Sequence, residues 1–184
     1  MVQVVNRERE GHEVDQCVLR LLVEMLCTIG DGAPKVVKQK DADGERLLWQ
    51  SSDRQTYKQD FESVLLKATE DYYRSKVAGW MAAYSCPLFL QEISRRLEDE
   101  ESRLSRYLDS SSEKDLKSVV QKELILNTAK ELVEMTTGAE AMFRDHRYDE
   151  LKLMYRIFRR EPSMLPHLIS VMVPHIEQRL GPKP

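Results

Sequence analysis

The sequence predicts an all-α protein, and three observations carry that prediction. Apolar residues recur at intervals of three and four along most of the chain, the spacing that gathers them on one side of a helix. Long stretches are rich in Leu, Glu, Lys, Arg and Met, which favour helix, while glycine and proline number only seven each in 184 residues. No run shows the polar–apolar alternation that a half-buried strand requires.

The elements follow in order. Residues 2–10 form a short helical signal cut off by Gly11. It starts at Met1 without a capping side chain, as a piece of a longer element would. Val14, Val18, Leu21, Leu22, Met25 and Ile29 then mark one face of a second helix, with Gly30 as its C-cap. From 30 to 56 the pattern dissolves. Gly32, Pro34, Gly44 and the run Lys38-Gln39-Lys40-Asp41 interrupt any helix, and only Leu47, Leu48 and Trp49 relieve the polarity. Helix connections usually run two to eight residues, so this longer stretch is expected to be a flexible linker. The sharper alternative is a short docking motif centred on Trp49.

A long helix is expected from near Arg54 to about Tyr84, with Phe61, Val64, Leu65, Ala68 and Tyr72 on one face. Ser85-Cys86-Pro87 breaks it: proline lacks a backbone donor and suits a first helical turn, with Ser85 or Cys86 as cap. The next helix carries Phe89, Ile93, Leu97, Leu104 and Leu108. Asp109-Ser110-Ser111-Ser112 ends it, and a serine there is expected to cap the following helix, striped by Leu116, Val119, Val120, Glu123, Leu124, Asn127 and Leu132. Thr136-Thr137-Gly138 closes that helix. A shorter element over 139–144 leads to a helix with Leu151, Met154, Tyr155 and Phe158 inward, stopped by Pro162. The last helix, 163–180, places Leu165, Leu168, Ile169, Met172 and Ile176 on one side, with Pro174 expected to kink it and Gly181-Pro182 to end it. The domain reading is a helical segment at 1–29, the linker at 30–56, a five-helix unit at 57–181 and a tail at 182–184.

Composition narrows the function. A net charge of −3 disfavours a nucleic-acid binder with a basic surface. Cys17, Cys27 and Cys86 are odd in number and lack metal-ligand or disulfide-framework spacing, as in a reducing compartment. No apolar run approaches about 20 residues, and the charged Arg7, Glu8, Arg9 and Glu10 rule out a signal-peptide core near the N-terminus. The expectation is a helical protein of cytoplasm and nucleus, with no membrane or nucleic-acid partner and no cofactor.

Catalytic candidates are few. His12, His146, His167 and His175 are scattered, and although His167 and His175 could share a face, no carboxylate or cysteine joins them at ligand spacing. Cys86 near a helix N-terminus would have a lowered pKa if exposed, but a buried junction cysteine is the plainer reading. Glu98, Asp99, Glu100 and Glu101 point around a helix and read as a solvated face. Lys152, Arg156, Arg159 and Arg160 line one side of a helix with Asp149, Glu150 and Glu161 nearby, again a solvated face, with a partner groove as the alternative. Tyr72, Tyr73 and Trp80 read as packing residues. There is no phosphate loop, nucleophile elbow or HExxH motif. No catalytic, cofactor or metal residue is assigned, and the interaction residues are unknown.

Several motifs in order then carry a resemblance. Tyr57-Lys58-Gln59-Asp60-Phe61-Glu62 followed by Ala68-Thr69-Glu70-Asp71-Tyr72-Tyr73 resembles the opening of a cullin repeat, Y-x-x-D-F-E leading to T-x-x-(F/Y)-Y. The stretch 98–108, E-D-E-E-S-R-L-S-R-Y-L, is similar to the family's acidic segment followed by R-Y-L. Residues 110–116, S-S-S-E-K-D-L, resemble its S-S-(S/T)-E-x-x-L helix start. Asp149-Glu150-Leu151 through Met154-Tyr155-Arg156 parallels its D-x-L-x-x-M-Y helix. Ser85-Cys86-Pro87 is similar to the break in plant-type cullins of the first class, and residues 6–15, N-R-E-R-E-G-H-E-V-D, resemble the segment upstream.

The resemblance implies one five-helix repeat of a curved helical stalk, preceded by the junction from the repeat before it. It also implies a non-catalytic scaffold of a cullin-RING (SCF-type) ubiquitin ligase, whose members hold an adaptor at one end and a RING subunit at the other. The family's adaptor-binding helices and globular domain are expected to lie outside this sequence, so none of their binding or modification residues is carried onto a number here. Two end faces that neighbouring repeats would cover are expected to be bare. The alternative is a truncated cullin that acts only as an isolated helical interaction module.

Overall fold

The computed structural model describes residues 1–29, 35–41, 44–50, 54 and 56–180. Its helices are α1 (Val2–Arg9), α2 (Gln16–Ile29), α3 (Ser63–Ala83), α4 (Cys86–Arg106), α5 (Glu113–Gln121), α6 (Ala129–Glu134), α7 (Ala139–Arg144), α8 (Tyr148–Phe158) and α9 (Leu165–Leu180). π-helical turns at Tyr57–Glu62 and Lys122–Leu126 and 3-10 turns at Ser110–Ser112 and Pro162–Met164 complete the helical elements. The helical fold class expected from the sequence is the one observed. The chain divides into two compact units, one of Met1–Ala68 with Arg103–Glu113, the other of Thr69–Ser102 with the chain from Lys114 onward. The expected C-cap Gly30, the breakers Gly32 and Pro34, and the 182–184 tail lie outside the described residues.

In the first unit, α1 ends where Gly11 takes φ +89°, a left-handed turn that glycine adopts without strain. Asp15 starts α2, its carboxylate accepting the Val18 amide at 3.0 Å. Leu19 and Val23 face inward at 3% and 4% exposure, while Val18, Leu21 and Met25 lie outside, Leu21 at 64%. This corrects the expected face of α2. The helix carries two apolar rows, and the row at 18, 21 and 25 is the one left in solvent. The choice is made by tertiary packing: α2 lies against the π-helical turn, where Tyr57 and Phe61 are buried with ring centroids 5.5 Å apart.

A second correction concerns 30–56. Among its described residues stand two antiparallel strands, β1 (Lys35–Asp41) and β2 (Gly44–Gln50), paired from Lys35↔Gln50 to Asp41↔Gly44. The absence of strands expected from the sequence therefore fails locally. Val36-Val37 and Leu47-Leu48-Trp49 are β-branched or bulky side chains suited to strands, but they cluster instead of alternating, so a period-two test passes over them. The register leaves only residues 42 and 43 between the paired Asp41 and Gly44, the length of a tight hairpin loop.

The line of burial through the π-helical turn and α3 is Phe61, Leu65, Thr69 and Tyr73, whereas Val64, expected inside, is half exposed. A π-helical turn holds an extra residue, so an apolar pattern read at 3.6 residues per turn slips out of phase across it. Near Ser112 the same turn forms a buried chain: Tyr57 Oη lies 2.7 Å from Ser112 Oγ, and Ser112 donates to Glu62.

In the second unit α4 starts at Cys86, after Ser85 and before Pro87, and the Phe89 amide bonds the Ser85 carbonyl at 3.0 Å. Phe89, Leu90, Ile93 and Leu97 form its buried side. The serines expected at the start of the next helix form the 3-10 turn that leads into α5, and Asp109 caps that turn, its carboxylate accepting the Ser111 amide at 2.9 Å; Asp109 belongs to the first unit. The single helix expected through Leu132 is interrupted. Glu123, Leu124 and Ile125 are buried consecutively in the wide turn after α5, which successive residues 100° apart on an ordinary helix would not be. Asn127 and Thr128 then break the winding, Thr128 returning its hydroxyl to the Leu124 carbonyl at 2.6 Å.

Gly138, the expected terminator, precedes α7. A Cβ there would sit 2.5 Å from the Val133 carbonyl oxygen, 2.6 Å from that of Leu132 and 2.8 Å from that of Met135. Helix α9 packs with α6, α7 and α8. Leu151, Met154, Ile157 and Phe158 are the buried side of α8, so Tyr155, expected inward, is instead 49% exposed. Among the described side chains of α9, Leu168 is fully enclosed, while Ile169 and Ile176, also expected inward, are exposed. The helix runs on through Pro174.

Candidate functional site

Cys86 is buried, its amide donating to Thr137 Oγ1 at 2.9 Å and its thiol to the Leu132 carbonyl at 3.3 Å. Burial pushes the thiol pKa up to about 12, outweighing the nearby Arg147 charge, so the helix start confers no nucleophilicity. His175 stacks on Phe143 at 5.7 Å, while His167 is exposed. Among the described residues no group of three His, Cys, Asp or Glu side chains is placed to hold a metal ion.

The acidic run is not wholly solvated, which corrects its sequence reading. Glu98 is exposed, but Glu100 is 3% exposed and accepts the Tyr73 hydroxyl at 2.6 Å. Glu101 pairs with Arg160 at 2.6 Å. Lys152, Arg156, Arg159 and Arg160 are all exposed, as a solvated face is. Trp80 packs edge-on to Phe89 at 6.4 Å beneath the Arg96 guanidinium at 5.3 Å, a packing role as expected. Trp49 pairs with Val36 along the strands, and its side chain lies outside what is described.

Each unit holds an open groove among its described residues. The first, of about 490 Å³, is lined by Arg20, Val23, Glu24, Cys27, Thr28, Arg54 and residues 105–110. Arg54 pairs with Asp109, Arg20 with Glu24 at 2.9 Å, and Arg106 with Glu8 at 3.6 Å. Burial would raise the Asp109 pKa, but the Ser111 hydroxyl and amide, the Arg54 charge and the Cys27 thiol hold it below the ordinary carboxylate value. Glu8 is depressed likewise: burial raises it, but hydrogen bonds from Tyr107 and Arg103 and the charges of Arg103 and Arg106 prevail. The second groove, of about 470 Å³, is lined by Arg74, Val77, Ala78, Met81, Ala82, Glu123, Asn127, Thr128 and Glu131. Glu123, nearly enclosed, holds Arg74 at 3.3 Å. Neither groove is legible in the sequence, because the pairs that join its elements stand far apart along it, Arg54 and Asp109 by 55 positions and Arg74 and Glu123 by 49.

Apolar side chains also reach solvent in rows: Val18, Leu21 and Met25 on α2, and Ile169, Val173 and Ile176 on α9. These spacings are helical, and an apolar row left in solvent among the described residues is a surface suited to another helix. The arrangement as a whole offers packing faces and ion-paired grooves. No helix among the described residues is long and apolar enough to cross a membrane.

Comparison with known proteins agrees with this picture. The family model of the cullin α-solenoid domain matches residues 1–182. The chain is 30% identical over 177 residues to Cullin-2 of Arabidopsis thaliana, covering 96% of this chain and 21% of that protein. It is 29% identical to Putative cullin-like protein 1 of the same plant over 177 residues, 96% of this chain and 22% of that one. Against Cullin-3 of Dictyostelium discoideum the figure is 30% over 179 residues, 97% of this chain and 21% of its partner in the comparison. The chain thus spans about a fifth of the length of these relatives. With nearly every residue inside the α-solenoid match and the repeat motifs lying on the observed helices, the chain belongs to the cullin family.

Proposed function

We propose that this chain supplies part of the helical stalk of a cullin, acting as a non-catalytic spacer in an SCF-type cullin-RING ubiquitin ligase in cytoplasm and nucleus. The observation that carries this is the α-solenoid match over 1–182 on a set of amphipathic helices. A spacer works by fixing the distance between a bound substrate and the charged conjugating enzyme. It raises their effective concentration through geometry, without a reactive side chain. The partners of this reading are an adaptor, a RING subunit and, through them, the substrate receptor.

A second reading is favoured by the bare apolar rows on α2 and α9: an isolated helical module that binds proteins without assembling a ligase. Affinity purification of the tagged chain separates the two. Recovery of an Skp-type adaptor and a RING subunit, with ubiquitin transfer on addition of activating and conjugating enzymes, supports the first. A well-folded chain that brings down none of these and supports no transfer leaves the second.

A further inference from the structure

We propose that Ser110 is a phosphorylation site whose phosphate is received by the arginines of the first-unit groove. Two independent observations meet there. The first is local sequence: Ser110 is followed by Glu113 at +3 and Asp115 at +5, the acidic surroundings that acidophilic protein kinases select, and all three residues are exposed. The neighbouring serines differ. Ser111 has Lys114 at +3 and Ser105 has Leu108, while Ser112, though followed by Asp115, is buried in the Tyr57–Glu62 hydrogen-bond chain.

The second is the groove. Ser110 lines it together with Arg20 from α2, Arg54 from the segment before the π-helical turn, and Arg106 from the end of α4. Each guanidinium meets a carboxylate in a partly exposed pair: Glu24, Asp109 and Glu8 respectively. Such pairs exchange partners cheaply, and an arginine fork binds a phosphate dianion through two donors at once. Asp109 adjoins Ser110 and opposes a second negative charge, so Arg54 must serve both groups. Arg20 and Arg106 bring two more guanidinium groups to the same lining, where the carboxylates among the described residues are Asp109 and Glu24.

The transfer is ordinary in its balance. Ser110 Oγ bonds to the γ-phosphorus of a nucleoside triphosphate, the bond from that phosphorus to the bridging oxygen breaks, the diphosphate leaves and the hydroxyl proton passes to solvent. The product carries a charge near −2 that joins α2 and the end of α4 through one shared ligand, where the unmodified protein has separate pairs.

The test uses the 184-residue chain with an acidophilic kinase of the casein-kinase-2 class and magnesium-ATP. Peptide mapping by mass spectrometry is expected to find phosphate on Ser110 and to lose it in Ser110→Ala. Phosphorus NMR titration then reads the receiving arginines directly. The second phosphate pKa in the folded protein is expected about one unit below that of the same phosphopeptide free in solution. It should return toward the peptide value in Arg54→Ala with Arg106→Ala, with the fold checked by circular dichroism. Because both arginines already hold carboxylates, Arg20→Ala serves as a milder second variant should the double one unfold. Phosphate incorporated only at other serines, or a Ser110 phosphate that titrates as the free peptide does, overturns the proposal.

Discussion

Replacing Ser112 by alanine tests whether the buried chain of the first compact unit stabilises it. Ser112 Oγ is 2.7 Å from the Tyr57 hydroxyl and donates to Glu62, and all three side chains are enclosed. Alanine creates almost no cavity, so the cost is polar. Glu62 loses a hydrogen bond to a charged acceptor, a loss of about 2 kcal/mol, and the Tyr57 hydroxyl loses its acceptor, a further ~1 kcal/mol. The sum is about 3 kcal/mol. With a urea m-value of ~2 kcal/mol/M, the midpoint of unfolding falls by roughly 1.5 M. Tyr57→Phe, which leaves the Ser112–Glu62 bond intact, should cost only ~1 kcal/mol, and the double variant should be milder than the sum of the singles. Burial also pushes the Tyr57 pKa up to about 12, so its contribution is full below the unfolded value near 10 and declines as pH rises through 12. Urea unfolding followed by circular dichroism measures each variant. A Ser112→Ala midpoint within error of the parent, matching the exposed control Ser111→Ala, refutes the reasoning.

Four further outcomes follow from the same structure. Gly138→Ala should lose about 3 kcal/mol in thermal or urea unfolding, since its Cβ would meet three backbone oxygens at a φ of −79° that imposes no torsional strain of its own. Under native conditions iodoacetamide should label Cys17 readily and leave Cys86 unmodified until denaturant is added, as peptide mapping will report. Because the Glu8 pKa is depressed on folding, its stabilisation is complete above the ordinary carboxylate value near 4 and disappears as pH falls below it. Glu8→Gln should flatten that acid limb in a pH series of melting curves and cost ~2 kcal/mol at neutral pH. Leu19→Ala should cost about 3 kcal/mol in urea unfolding, whereas Leu21→Ala should stay within ~0.5 kcal/mol.

That last contrast shows what the sequence could and could not convey. Helix existence was legible throughout, and breaks tied to chemistry, such as Ser85-Cys86-Pro87 and Thr136-Thr137-Gly138, fell where they were read. The inward face of α2 was not, because Val18, Leu21 and Met25 make as good a stripe as Leu19 and Val23, and only the neighbouring Tyr57 and Phe61 decide between them. Val64 falls outside because the π-helical turn before it shifts the apolar phase, and Tyr155 because the buried side of α8 is filled by Leu151, Met154, Ile157 and Phe158. The strands at 35–41 and 44–50 have a cue in Asp43-Gly44 between β-branched and bulky runs, but those runs lack the alternation that marks a half-buried strand. Glu100 looked solvated because four acids in a row suggest water; its acceptor role for Tyr73 depends on a residue 27 positions away.

The wide turn at Lys122–Leu126 gives this protein a place where its length can change by one without any loop to absorb the difference. Deleting a residue there restores ordinary winding and keeps the segment helical, yet an α-helix has room for fewer of the neighbours Glu123, Leu124 and Ile125 on its inner side. A cousin one residue shorter at this point would thus keep its architecture while surrendering the carboxylate that grips Arg74.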